Sequence, residues 1–104
     1  MPTIARLLTY LPTADAAHPL AEALLDARLI ACANIGAQVT SLYTWEGTRE
    51  ETPEVQLWLK TRRGLAPEVM AMIERLHPYD CPLVALDEIT VNAAYADWVN
   101  AQTR

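Results

Sequence analysis

The stretch from Leu29 to Glu46 constrains this chain more than any other. Within it Val39, Ser41, Tyr43 and Trp45 alternate with Thr40, Leu42, Thr44 and Glu46. A period of two sends the two sets to opposite faces of a strand. The β-branched and aromatic residues among them suit a pleated, half-buried surface. Gly36 interrupts the run and predicts a bulge or bend. The segment Glu54 to Thr61 repeats the alternation, with Val55, Leu57 and Leu59 set against Gln56, Trp58 and Lys60. The polar, Gly- and Pro-punctuated residues between, Glu46 to Pro53, predict a hairpin loop joining two antiparallel strands.

The remaining segments fit around that hairpin. Ile4 to Leu11 is a short apolar run closed by Pro12 and reads as a buried strand. Proline suits the first helical position, so a regular helix is expected from about Pro19, with Asp15 as the alternative start. Leu20, Ala23, Leu24 and Ala27 then share one face, and His18 is an exposed residue at the helix start. After Gly64, the residues Leu65, Val69, Met72, Ile73 and Leu76 form the stripe of a second helix, with Pro67 in its first turn. His77-Pro78 ends it, because a residue before proline is pushed out of helical angles. Leu83 to Ile89 reads as a last strand. Asn92 then caps a short terminal helix with Tyr95, Trp98 and Val99 on one side. The order predicts an α+β fold in one domain, residues 1–104. It is the ferredoxin-like β-α-β-β-α-β arrangement with an extra C-terminal helix, its helices on one face of an antiparallel sheet. Tyr43, Trp45 and Trp58 on the hairpin predict a partner surface, and a hairpin longer than its sheet leaves edges open to another chain. Together they predict a homo-oligomer.

Thirteen acidic residues against eight basic ones give a net charge of −5. That balance argues against a nucleic-acid partner and against an anionic membrane surface. No apolar run reaches the ~18 residues of a membrane span, and the N-terminus does not show the ordered features of a secretory signal. Cys32 and Cys81 lack the spacing of a disulfide framework and read as reduced thiols of a cytoplasmic protein. Ser41, the only serine, sits mid-strand without elbow glycines, and glycine is too scarce for a phosphate-cradling loop. Glu50, Glu51 and Glu54 read as a solvated turn. No base, nucleophile and orienting group fall together, so neither an enzyme nor an organic cofactor is expected.

Two Cys and two His do not make a closed zinc site by themselves. His77 and Cys81 are the close pair. Pro78 and Pro82 keep them off one helical face, but a turn would let them converge, and such donors favour copper or zinc. The alternative is a helix C-terminus whose His caps carbonyls and whose Cys is a small hydrophobe. A symmetric oligomer would repeat each donor around its axis. Cys32, flanked by Ala31 and Ala33, reads as a packing thiol without a cationic neighbour. Lys60, Arg62 and Arg63 cluster at a strand end, as solvated charge or as an anion site.

In order and spacing, several segments together resemble the CutA family of divalent-cation-tolerance proteins. They are Arg28–Ile35, Val39–Gly47, Leu59–Arg62, Leu76-His77-Pro78-Tyr79-Asp80-Cys81-Pro82 and Tyr95–Val99. The resemblance covers nearly the whole chain. It implies a trimer akin in architecture to PII-type signalling proteins, whose long hairpins pair across subunits. It also implies a response to divalent metals, with copper the usual candidate ligand. His77 occupies the His of the family's His-Pro-Tyr motif, and Cys32 the Cys of its Ala-Cys-x-Asn motif. Two further donors of the copper pattern in some members fall here on Thr9 and Leu76, and Cys81 is a thiol where a polar or acidic residue is usual. Asp87 and Val91 replace a usual Pro and Gly. The implied metal residues are thus His77, Cys81 and Cys32. The implied inter-subunit cleft comprises Tyr43, Trp45, Glu46, Trp58, Lys60 and Tyr79. The alternative function is a PII-like regulatory or scaffolding trimer that holds a small anion, at Arg62 and Arg63, or a partner protein.

Overall fold

A computed structural model describes all 104 residues. The elements run β1 (Thr3–Leu11), α1 (Ala14–Asp26), β2 (Cys32–Trp45), β3 (Thr48–Thr61), a 3-10 turn (Arg63–Leu65), α2 (Ala66–Leu76), β4 (Ala85–Thr90) and α3 (Ala93–Gln102). The four strands form one sheet in the order β2-β3-β1-β4, antiparallel at every pairing. This is the expected α+β arrangement with its additional helix.

Alternation decides what each face of the sheet meets. Ala5, Leu7, Thr9 and Leu11 of β1, with Val55, Leu57, Leu59 and Thr61 of β3, point to the helix side and are buried. There they join Leu20 and Leu24 of α1 and Val69 and Ile73 of α2 in the main core. Fully burying a leucine contributes roughly 1.5–3 kcal/mol, so this layer holds the chain together. A smaller cluster of Ile4, Ala31, Ala96 and Val99 seats α3 at one end of the opposite face. Arg28 ties α3 to α1. It takes a left-handed conformation (φ 56°) just after α1, and its guanidinium donates to the carbonyls of Ala101 and Gln102.

Three expectations need correcting. Helix α1 starts at Ala14 rather than near Pro19, because Thr13 accepts a hydrogen bond from the Ala16 N–H at 3.1 Å and so caps it. Pro19 lies inside the helix and deprives only the Asp15 carbonyl of its partner, on an exposed turn. The hairpin loop is not Glu46–Pro53 but the pair Glu46-Gly47. Both have positive φ (49° and 81°), the requirement of a two-residue hairpin turn with the strands' own twist. Residues 48–53 are therefore strand, polar because no core lies against them. On α3 the buried residues are Ala96 and Val99, while Trp98 is exposed and packs beside Tyr95 at 5.6 Å between ring centres.

The expected irregularity at Gly36 is present as a register shift between Ile35 and Gln38. Beyond it the hairpin leaves the sheet. The rungs from Val39↔Glu54 to Trp45↔Thr48 have no third strand beside them, since β1 pairs with β3 only between Val55 and Thr61. This bare arm stretches the molecule to 46 Å in its longest dimension.

Candidate functional site

The site is built where α2 ends. Pro78 forces His77 into extended backbone, and the helix stops there. The His77 ring then turns inward until it is nearly buried. Its Nε2–H donates to the Tyr10 carbonyl at 2.8 Å, and its Nδ1 accepts the Tyr79 N–H at 3.1 Å. Only the neutral tautomer with hydrogen on Nε2 satisfies both bonds. Burial pulls the imidazole pKa below its ordinary value, with the Tyr10 carbonyl and Glu54 partly opposing.

The two bonds set the course of the chain that follows. Tyr79 packs against the His77 ring, 4.8 Å between centres, and its hydroxyl donates to Glu54 Oε2 at 2.7 Å. Burial and the Glu54 carboxylate push the Tyr79 phenol far above its usual range, so it stays protonated and stays a donor. Pro78–Cys81 and Leu83 thereby become one wall of a cleft of about 680 Å3, and the arm's Ser41–Tyr43, Trp45, Glu50 and Glu54 form the other, with Tyr10 between them. Tyr10, Tyr43, Trp45 and Tyr79 line it with aromatic surface. Glu50, Glu54 and Asp80 line it with carboxylates, Cys81 adds an exposed thiol, and no basic side chain takes part.

The cleft thus places Tyr43, Trp45 and Tyr79 beside Cys81, with His77 supporting the wall from behind. Other expected residues lie elsewhere. Trp58 and Lys60 sit farther along β3 in a smaller hollow with Arg6 and Asn34. There Arg6 stacks 4.7 Å over Trp58 and clasps Asp87 at 2.8 and 3.2 Å, while Lys60 Nζ donates to Asn34 Oδ1 at 3.1 Å. Cys32 is on the Lys60 rung and its thiol also reaches Asn34, at 3.6 Å. The Tyr10 rung is at Gln56, so Cys32 is about 13 Å along the strand from it at ~3.3 Å per residue. Glu46 belongs to the tip of the arm. Arg62 bonds to the carbonyl oxygen of Arg104, and Arg63 pairs with Glu88 at 2.8 Å. Thr9 is fully buried on the helix side, whereas Leu76 is exposed. No three His, Cys, Asp or Glu side chains converge as a metal-holding group within the chain.

Tyr10, Glu50, Glu54 and Asp80 were not foreseen as cleft residues. A signal for Glu50 existed in Glu46-Gly47: placing the turn there sets Glu50 opposite Tyr43 and hence on its face. Tyr10 shares parity with Arg6 on β1, which assigns it to the face away from α1 and α2.

Comparison with known proteins covers almost the whole chain. The family model for the CutA1 divalent ion tolerance protein matches residues 6–102. A divalent-cation tolerance protein CutA from Pyrococcus horikoshii is 40% identical over 92% of this chain and 94% of its own. The crystal structure of the divalent ion tolerance protein CutA1 from Ehrlichia chaffeensis superposes with a TM-score of 0.94 at 35% identity, covering 100% of this chain and 98% of the other. A CutA from Archaeoglobus fulgidus, described as a periplasmic divalent cation tolerance protein, gives 0.89 at 26% identity over 97% and 98% of the two chains.

Proposed function

The chain belongs to the CutA1 divalent ion tolerance family, and on that premise we propose that it is a non-enzymatic homotrimer that binds divalent metal, copper foremost. The bare arm is the observation that carries the reading. Its strands are paired only with each other, and Leu42, Tyr43 and Trp45 stand exposed on it. A lone two-stranded ribbon is marginal in water, and open edges of this length are matched to pairing with another copy. The same step answers the donor count. One subunit gathers no three-donor group, but a threefold axis triples every donor it brings near.

Among the soft donors, the Cys81 thiol is exposed on the cleft beside Asp80 and is the first ligand in this reading. His77 joins a metal only by releasing the Tyr79 N–H from Nδ1, and Cys32 belongs to a separate point of attachment at the other end of the sheet. The free thiols suit a reducing compartment, so the cytoplasm is the proposed location. No helix is long and apolar enough to cross a membrane. A small anion in the cleft finds no support, because the lining is acidic and both Arg62 and Arg63 already have partners.

The test pairs mass with binding. Light scattering should report three subunits at micromolar concentration. Calorimetric titration of Cu(II), Cu(I) and Zn(II) should show binding that weakens in Cys81→Ser and less so in Cys32→Ser. A stable lone subunit, or equal binding by wild type and both thiol variants, would overturn the reading.

A further inference from the structure

The arm is joined to the rest of the chain by little besides its own two strands. Every ion pair lies elsewhere, between Arg6 and Asp87, Arg63 and Glu88, and Arg104 and Glu68. From the rungs Val39↔Glu54 to Trp45↔Thr48 a single side-chain hydrogen bond leaves the arm, the one that Glu54 Oε2 accepts from the Tyr79 hydroxyl at 2.7 Å. Glu54 is the root of the arm, one residue before β3 gains β1 as its second neighbour at Val55. Tyr79 is fastened on the other side. Its amide donates to His77 Nδ1 at 3.1 Å, its ring packs 4.8 Å from the imidazole, and His77 in turn is bonded to the Tyr10 carbonyl of β1. One residue thus bridges the fixed sheet and the bare ribbon. We infer that the Tyr79–Glu54 bond is a latch that couples seating of the arm against another copy to the order of the loop after α2, with Tyr79 as the positioning residue for the Cys81 thiol. The inference rests on the homotrimer proposed above and deepens it.

Coupling needs an element with two states that both sites bias, and the arm is such an element. A two-stranded ribbon with no buried face is marginal by itself and opens at low free-energy cost, whereas another copy bound to its closed form holds it closed. At the root, that order fixes where the Glu54 carboxylate stands. The phenol then has a stationary acceptor, and a charged acceptor makes the bond roughly twice as strong as a neutral one. With Tyr79 held at its amide and its hydroxyl, the chain that runs on through Asp80 to Cys81 starts from a fixed point. Linkage makes the influence reciprocal, so whatever fixes the loop also favours the seated arm. The latch lies within one chain and needs no open cleft, so it operates with another copy covering Tyr43 and Trp45.

The experiment is amide hydrogen exchange on the intact assembly, read by NMR at the amide of position 79 and at the paired amides of the arm, with light scattering for mass. Tyr79→Phe keeps a ring against His77 and removes only the hydroxyl. Glu54→Leu removes the acceptor, while Glu54→Gln keeps a side-chain oxygen that can accept the same bond. Tyr79→Phe should speed exchange in the arm several-fold, and Glu54→Leu should do the same at position 79, each effect being read on the side that was not altered. Glu54→Gln should recover most of the protection. The double variant Tyr79→Phe, Glu54→Leu should exchange no faster than the faster single one, because both changes delete one bond. Unchanged trimeric mass is the control for folding. Effects confined to the altered side, Glu54→Gln as disruptive as Glu54→Leu, or additive effects in the double variant would each overturn the latch and leave the trimer standing. A wild-type mass of one chain would overturn the trimer, and with it the coupling, before any exchange is measured.

Discussion

Strand β3 lives in two environments. From Val55 to Thr61 every second residue is sealed under α1 and α2, while from Thr48 to Glu54 none is. Backbone pairing with β2 continues through both halves. What changes is the apolar surface removed from water, and burial rather than the hydrogen-bond ladder is what dominates stability. The comparison predicts unequal mutations. Leu57→Ala, at a fully buried site, should cost about 2–5 kcal/mol, read as a lower denaturant midpoint. Leu42→Ala, on a side chain 65% exposed, should change the stability of the chain by itself by ~0.5 kcal/mol or less. A Leu42 loss as large as that at Leu57 would break the comparison for a lone subunit. It would place Leu42 in an assembly interface, and the loss would then have to depend on protein concentration.

The boundary between the halves is where His77 works. Its two hydrogen bonds hold the Tyr10 carbonyl and the Tyr79 N–H at the point where the arm leaves the sheet. His77→Ala leaves both groups without their partner, at about 1–3 kcal/mol each, an effect on the scale of the core leucine's. A titration follows from the same geometry. Burial lowers the imidazole pKa from its ordinary 6.5, so the unfolded chain takes up the proton first as pH falls. The stability owed to neutral His77 is fully present above about pH 6.5 and is lost as pH drops below it. Unfolding free energy measured from pH 7.5 to 5 should decline in wild type, and the part owed to this ring should be missing from His77→Ala. Glu54 faces the ring, and Tyr79, whose phenol stays protonated throughout that window, packs against it. Identical slopes in the two proteins would remove His77 as the cause.

How much of this was legible in the sequence follows the same division. Where one face of an element is buried, its period is written in apolar residues, as in Val55, Leu57 and Leu59 or Val69 and Ile73. Fold order is readable for that reason, while the bulge at Gly36 and the α2 stop at His77-Pro78 are readable from backbone chemistry. The outer arm has no buried face, so Thr48–Pro53 carries no period and resembles a loop. Only the positive-φ demand of Glu46-Gly47 reveals the strand. The start of α1 is hidden because Pro19 is the stronger local signal, whereas the Thr13 cap depends on a hydrogen bond that residue type alone does not reveal. The cleft was half legible: aromatic alternation marked Tyr43 and Trp45, but Glu54 becomes a site residue only through its bond to Tyr79. That contact joins positions 25 apart in sequence, and no local pattern encodes it.

A smaller effect than those of Leu57 and His77 contrasts two threonines on the buried side of the sheet. Thr61 Oγ1 donates to the Leu29 carbonyl at 2.6 Å, whereas Thr9 Oγ1 has no partner although both residues are fully buried. An unpaired hydroxyl in an apolar layer keeps its desolvation penalty, and a paired one largely offsets it. Valine has nearly the shape of threonine without the hydroxyl. Thr9→Val should therefore stabilise the protein by about 1 kcal/mol, and Thr61→Val should destabilise it by about the same amount through the orphaned Leu29 carbonyl. Opposite signs from one chemical change would assign the difference to hydrogen-bond satisfaction alone. A loss of stability in Thr9→Val would mean instead that the Thr9 hydroxyl has a partner such as a buried water, and that this part of the core is not dry.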